Sequence, residues 1–179
     1  MPNQQHRQGS GQLNKSTQVV RTATTSSNNE TQKAIIICGF AAIGKSTFLG
    51  SGSYNGYTVD DLDSSGFSKE PEWPKNYLDE IKKKRYQKTI LMISTHKAVY
   101  TQLLKEGVDL ILVYPKRELR SEWEARIKGR ENRLTKKPSV SMWDGVGPNW
   151  DKWINEYEQQ KCPRYEMSQA FQTGSRSSK

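Results

Sequence analysis

The chain has 179 residues and a formal net charge of +9, a length that suits one domain, since domains most often run about 100–150 residues. Apolar residues make up 33% and charged residues 26%, and no run approaches the roughly 18 apolar residues of a membrane-spanning helix. Two cysteines, Cys38 and Cys162, form neither a metal-ligand spacing nor a disulfide framework. The charge points to anionic partners: a nucleic-acid backbone, or phosphates held in a pocket, with a merely solvated basic surface as the plain alternative.

Residues 1–33 are dominated by Gln, Ser, Thr and Asn, with Val19 and Val20 the only adjacent aliphatic pair. So little apolar surface cannot offset the entropy of ordering the chain, so this segment is predicted to be disordered and residues 166–179 to form a flexible tail. The folded domain is expected over 34–165. The start of the chain lacks the apolar stretch of a secretory signal, and an intracellular protein is expected.

Ala34–Cys38 (AIIIC) is β-branched and wholly apolar, as a strand buried on both faces would be. A helix is expected from Lys45 to Leu49, a second strand at Tyr57–Val59, and a loop over Ser64–Pro74, which carries Gly66, Pro71 and Pro74. Helix Lys75–Arg85, strand Thr89–Ser94 and helix Lys97–Glu106 follow, the last stopped by Gly107. Next come strand Val108–Tyr114, a charged helix over Glu118–Arg130 and a Gly/Pro/Ser-rich stretch over 135–148. The final helix, Trp150–Gln160, has Trp150, Trp153, Ile154 and Tyr157 on one face. A fifth strand is open near Ser139–Trp143. Strands alternating with helices predict an α/β fold with a small parallel sheet covered on both faces.

Between the first strand and first helix, Gly39-Phe40-Ala41-Ala42-Ile43-Gly44-Lys45-Ser46 matches G-x-x-x-x-G-K-S/T in full. Glycines at both ends allow backbone N–H groups to turn inward as an anion nest, with Ala42 and Ile43 contributing backbone. The helix start adds partial positive charge. Lys45 is placed to reach the outer phosphates of a nucleoside triphosphate, Ser46 to ligate Mg²⁺, and Thr47 to touch the innermost phosphate. The context of strand, loop and helix marks a P-loop.

Asp60, Asp61 and Asp63 end the second strand, on the sheet edge where ligands of open α/β sheets bind. Carboxylates there suit a general base toward an attacking hydroxyl or a hold on Mg²⁺. Asp61 and Asp63 are the candidates, with Asp63 assigned to the metal; which of the two is the base stays open. The end of the third strand reads Ser94-Thr95-His96, without the acid often found there, which leaves the metal to Asp61 or Asp63. His96 either touches substrate or caps the next helix. Arg126 and Arg130 in the charged helix, with Arg133 beyond, suit stabilisation of the charge that builds during phosphoryl transfer, on a helix that closes as a lid about 135–148. Interleaved Glu118, Glu122, Glu124 and Glu131 equally describe a salt-bridged surface helix. The five tryptophans are expected to be core.

The segments Gly39–Thr47, Asp61–Phe67, Ser94–His96 and Tyr114–Arg130 together resemble the small P-loop kinases: nucleoside monophosphate, shikimate and gluconate kinases, the kinase domain of polynucleotide kinases, and in particular small nucleotide-kinase-like proteins of bacteriophages. The resemblance covers residues 34–160. It implies a three-layer α/β/α P-loop NTPase fold with a lid-like helical segment, ATP and Mg²⁺ as cofactors, Asp61 or Asp63 facing the acceptor, and Arg126 and Arg130 as lid arginines. The Arg with which many nucleoside monophosphate kinases grip the acceptor phosphate, in the helix after the second strand, has no clear match; Lys75 and Arg85 are poor substitutes for it. The function expected is transfer of the γ-phosphate of ATP to a nucleotide or small-metabolite hydroxyl or phosphate. A polynucleotide 5′-kinase and a regulatory NTPase without an acceptor are the alternatives. No guanine-reading N-K-x-D run is present.

Overall fold

The computed structural model describes residues 33–136 and 138–169. The N-terminal segment up to residue 32 and the tail from 170 lie outside the described residues, so the expectations for them do too.

The described chain runs β1 (Ile35–Gly39), α1 (Lys45–Leu49), β2 (Ser53–Tyr54), β3 (Tyr57–Leu62), α2 (Lys75–Lys84), β4 (Thr89–Ser94), α3 (Lys97–Lys105), β5 (Ile111–Pro115), α4 (Arg120–Asn132), α5 (Met142–Glu158) and β6 (Arg164–Met167), with short 3-10 turns at Ser64–Gly66 and Arg117–Leu119. The six strands form one sheet in the order β2-β3-β4-β1-β5-β6, parallel throughout except for the β2–β3 pairing. The α/β class and the parallel sheet are therefore as expected. The register brings Gly39 beside Ser94 and Val113, and Leu62 beside Ile93. The carboxyl ends of β1, β3, β4 and β5 thus meet at one edge, and the loops that leave them build the site.

The pleat sends alternate residues to opposite faces. Ile36, Cys38, Leu91, Ile93 and Leu112 join the larger core with Tyr77, Ile81, Val99, Leu103 and Ile154 from the helices. The opposite face carries a smaller cluster, Val59, Ile90 and Met92, with Ile37 and Phe48 packed against it. The two faces are unequally covered. β1, expected to be buried on both, leaves Ile35 37% exposed, because α1 has only five residues to lay over that side. Among the described residues no helix is long and apolar enough to cross a membrane.

Several elements differ from expectation. β3 runs on to Leu62, through Asp60 and Asp61, since β4 supplies pairing partners as far as Ile93. No strand forms at Ser139–Trp143. Instead α5 begins at Met142, eight residues before the predicted start, and runs through Gly145, Gly147 and Pro148. Its start is tied down by α4: Glu131 accepts from Ser141 Oγ (2.7 Å) and Met142 N (2.6 Å), while Ser141 Oγ accepts from Trp143 N (3.2 Å). The stretch expected to hinge a lid is therefore helical from residue 142 onward. Lastly, β6 carries the sheet two residues past the expected boundary at 165, by pairing with β5.

Gly147 sits in that helix for a steric reason. A Cβ there would lie 2.9 Å from the Trp143 indole ring. Gly147→Ala, which in an open helix would gain about 1 kcal/mol, should instead lose about 1–3 kcal/mol by overpacking. The urea midpoint of the variant should fall; a raised midpoint would show that Trp143 is free to move.

Candidate active site

The phosphate cradle is the loop from Gly39 to Ser46, entered from β1 and left through α1. Phe40 N donates to Val113 O (2.9 Å) and Ile43 N to Phe40 O (3.3 Å). Two residues take positive φ, Ala42 at 58° and Gly44 at 104°, the left-handed turns that point successive N–H groups to one side. Only Gly44 does so without steric penalty. Gly39 is needed for contact: a Cβ would meet Ile43 Cγ2 at 3.0 Å.

The loop is pinned from behind. Phe40 is buried, and the rings of Trp123, Trp150, Trp153 and Tyr157 meet it edge-on with centroids 5.6 to 6.4 Å away. From α4, Trp123 Nε1 donates to Ala41 O (2.8 Å) and Arg126 Nε to Ala42 O (2.6 Å). Two carbonyls that would repel a phosphate are thereby turned outward and satisfied.

Lys45 Nζ donates to Gly39 O (3.2 Å), and burial lowers its pKa against the attraction of Asp61. Ser46 Oγ donates to Asp61 Oδ2 (3.3 Å), while Asp61 Oδ1 is buried with no hydrogen-bond partner. Burial also raises the Asp61 pKa, opposed mainly by Lys45. The acidic trio thus separates into three environments. Asp60 turns to Lys84 (2.7 Å), Asp61 to the cradle, and Asp63 accepts from Ser65 N (2.9 Å), capping the turn at Ser64–Gly66. Asp61 and not Asp63 is the carboxylate that Ser46 meets, because β3 ends at Leu62 and the chain turns away before Asp63.

Lys45, Ser46, Thr47, Asp61 and Asp63 line one cleft of about 1140 Å³, together with Arg126, Arg130 and Arg133; Asp60 does not reach it. Among the described residues no three His, Cys, Asp or Glu side chains gather to hold a metal by themselves. Any Mg²⁺ here must draw ligands from a nucleotide and water as well, as is usual for this ion. The unpartnered Asp61 Oδ1 beside Ser46 fits that need.

On the far side of the cleft His96, weighed in the sequence as a substrate contact or a helix cap, meets Ser64, which the sequence did not single out. Ser64 Oγ and His96 Nε2 are hydrogen-bonded at 2.8 Å, Lys69 Nζ donates to Ser64 O (2.6 Å) and lies 3.7 Å from the Trp73 ring centroid, and His96 meets the same indole edge-on. His96 stands at the N-cap of α3 but makes no side-chain cap bond, so its ring serves the cleft rather than the helix. Tyr77 Oη braces the two strand ends, donating to Leu62 O (2.7 Å) and accepting from Ser94 N (3.1 Å).

No protein-family model matches the chain, and no curated protein matches it. Among solved structures, a crystal structure of a gluconokinase from Sinorhizobium meliloti is similar with a TM-score of 0.45 at 12% sequence identity, over 77% of this chain and 84% of that chain.

Burial, then Lys69 and Lys45, hold the His96 pKa below its ordinary value. The unfolded chain therefore binds more protons in the window just below pH 6.5, and stability rises with pH there. His96 contributes fully above that value and its contribution is lost as pH falls through the lower folded pKa. His96→Gln should flatten this part of the urea-midpoint profile between pH 7 and 5. An unchanged slope would mean that the ring is solvated and unconstrained. Separately, Tyr77→Phe leaves Leu62 O and Ser94 N without their partner and should destabilise by about 1–3 kcal/mol, measured as the free energy of urea unfolding.

Proposed function

We propose that the chain is an ATP-dependent phosphotransferase, moving the γ-phosphate to a hydroxyl or phosphate of a small metabolite or nucleotide. The observation that carries this is the single cleft in which Lys45, the Ser46–Asp61 pair and Asp63 face Arg126 and Arg130. At about 1140 Å³ it exceeds the roughly 300–1,000 Å³ of an ordinary small-molecule pocket, which leaves room for a triphosphate and a second molecule.

The residues take distinct roles. Backbone N–H groups of the cradle, from Ala42 to Thr47, bind phosphate oxygens. Lys45 leaves Gly39 O for the outer phosphates. Ser46 and Asp61 would hold Mg²⁺ together with the nucleotide, and the ion would neutralise phosphate charge. Asp63, exposed on the acceptor side of the cleft, accepts the proton of the attacking hydroxyl. Arg130, exposed at the cleft, with Arg126 above the cradle, favours the charge spread over the transferred group. Dependence on ATP and two free thiols, Cys38 and Cys162, fit an intracellular protein.

Consumption of Mg·ATP should rise with one member of a panel of nucleoside monophosphates, sugars, small acids and 5′-hydroxyl DNA and RNA. A rise with polynucleotide ends, steeply reduced by salt, would favour a polynucleotide 5′-kinase. Slow hydrolysis indifferent to every acceptor would contradict a phosphotransferase and leave a regulatory NTPase. Lys45→Ala should lower turnover by about 10²-fold or more. Asp63→Asn should lower the transfer rate by about 10²–10⁴-fold while ATP affinity holds. Loss of affinity alone would assign Asp63 to structure, not chemistry.

A further inference from the structure

Beyond the cradle, α3 and α5 wall a recess of the same cleft with Lys97, Tyr100, Trp153 and Glu156. Tyr100 lines it with a fully buried side chain whose hydroxyl has no hydrogen-bond partner. Leaving a buried phenol unpaired is costly, and buried tyrosines ordinarily find a partner; Tyr77 in the same core finds two. Tyr100 therefore holds open a hydrogen bond that folding does not require.

Its surroundings narrow what would complete that bond. Lys97, one helical turn before Tyr100 on α3, is paired with Glu156 of α5 at 2.8 Å. The Lys97 side chain is largely exposed, whereas that of Glu156 is only 17% exposed. Glu156 and Tyr100 line the same cleft, and after burial the charge of Glu156 is the next cause that raises the Tyr100 pKa, to about 12. Trp153 lines the same recess and is partly buried. An anionic ligand group would be repelled by Glu156, and a cationic one by Lys97. A neutral hydroxyl suits both: it donates to the carboxylate and exchanges a bond with the phenol.

We propose that this recess docks the acceptor through a pair of adjacent hydroxyls, one on Glu156 and one on Tyr100 Oη, with the Trp153 ring against the carbon skeleton between them. The inference rests on the phosphotransferase reading and deepens it: the acceptor is a vicinal diol, borne by a free sugar or polyol or by the ribose of a nucleoside.

The test is binding, measured apart from transfer. Full-length protein saturated with Mg·AMP-PNP, so that the nucleotide site is filled, is titrated calorimetrically with D-ribose and ribitol in one arm and with adenosine and cytidine in the other. Each ribose-bearing compound is matched by its deoxy counterpart. One arm should bind, and so name the source, with the deoxy compound weaker by about tenfold, the worth of one hydrogen bond. Tyr100→Phe should erase that difference while AMP-PNP affinity stays and the urea midpoint holds or rises, since only an unpaired hydroxyl is removed. Glu156→Gln should weaken the same arm. Binding by neither arm, or discrimination that survives in Tyr100→Phe, overturns the proposal. Diol binding without ATP-dependent transfer would support the recess and contradict the phosphotransferase reading; transfer to an acceptor lacking adjacent hydroxyls would overturn the recess alone.

Discussion

Phe40 stands at the centre of the molecule, and the rest of the site depends on how it is held. It is a cradle residue whose side chain points into the core, where rings from α4 and α5 surround it. Each such aromatic pair is worth about 0.5–1.5 kcal/mol beyond its buried area. An anion nest works only if its N–H groups already converge, because a loop ordered by the ligand spends binding energy on its own entropy. Phe40 from below and the bonds from Trp123 and Arg126 to Ala41 O and Ala42 O from the side remove that freedom. The same contacts explain why α4 is docked along the cleft, presenting Arg126 and Arg130 to it, and why α5 packs where Tyr157 and Trp153 reach both Phe40 and the recess beside Tyr100.

The electrostatics of the site carry a matching tension. Burial works against charge on both Lys45 and Asp61, and their mutual attraction only partly opposes it. Phosphate oxygens near Lys45 and a divalent cation near Asp61 would favour charge on both. Binding and ionisation are thus linked in the direction that strengthens nucleotide and metal together. The cleft holds polar groups whose partners the protein itself does not supply, Asp61 Oδ1 and Tyr100 Oη among them.

What the sequence made legible follows the range over which each feature is determined. The cradle is eight consecutive residues whose roles are local, and the structure keeps them together. The helices α2 and α3 and the core tryptophans Trp123 and Trp150 carry periodic apolar signals and lie where expected. That Ser46 would meet Asp61 while Asp63 caps a turn was not legible, because β3 ends where its pairing with β4 ends, a matter of residues distant in the chain. The start of α5 was hidden by Gly145, Gly147 and Pro148, read as loop signals; a close approach to Trp143 and the bonds from Glu131 override them. β6, Arg-Tyr-Glu-Met, alternates over only four residues, too short a signal to mark a strand, and exists because the edge of β5 offers its ladder: Leu112 N donates to Pro163 O and Lys116 N to Met167 O. Tyr100 and Ser64 gave no signal at all. A buried tyrosine and a loop serine become informative only when their partners, or the lack of them, are seen.

The central claim, a preformed cradle that takes a magnesium-bound nucleoside triphosphate, is tested most directly by calorimetric titration of the full-length protein with AMP-PNP, with Mg²⁺ and with the ion chelated. One molecule should bind per chain, and binding should weaken when Mg²⁺ is removed, since Asp61 then loses the cation that favours its charged form. No binding at millimolar AMP-PNP, with the fold intact, would contradict it: the loop between Gly39 and Ser46 would then be a packed turn, and the cleft would serve some other ligand.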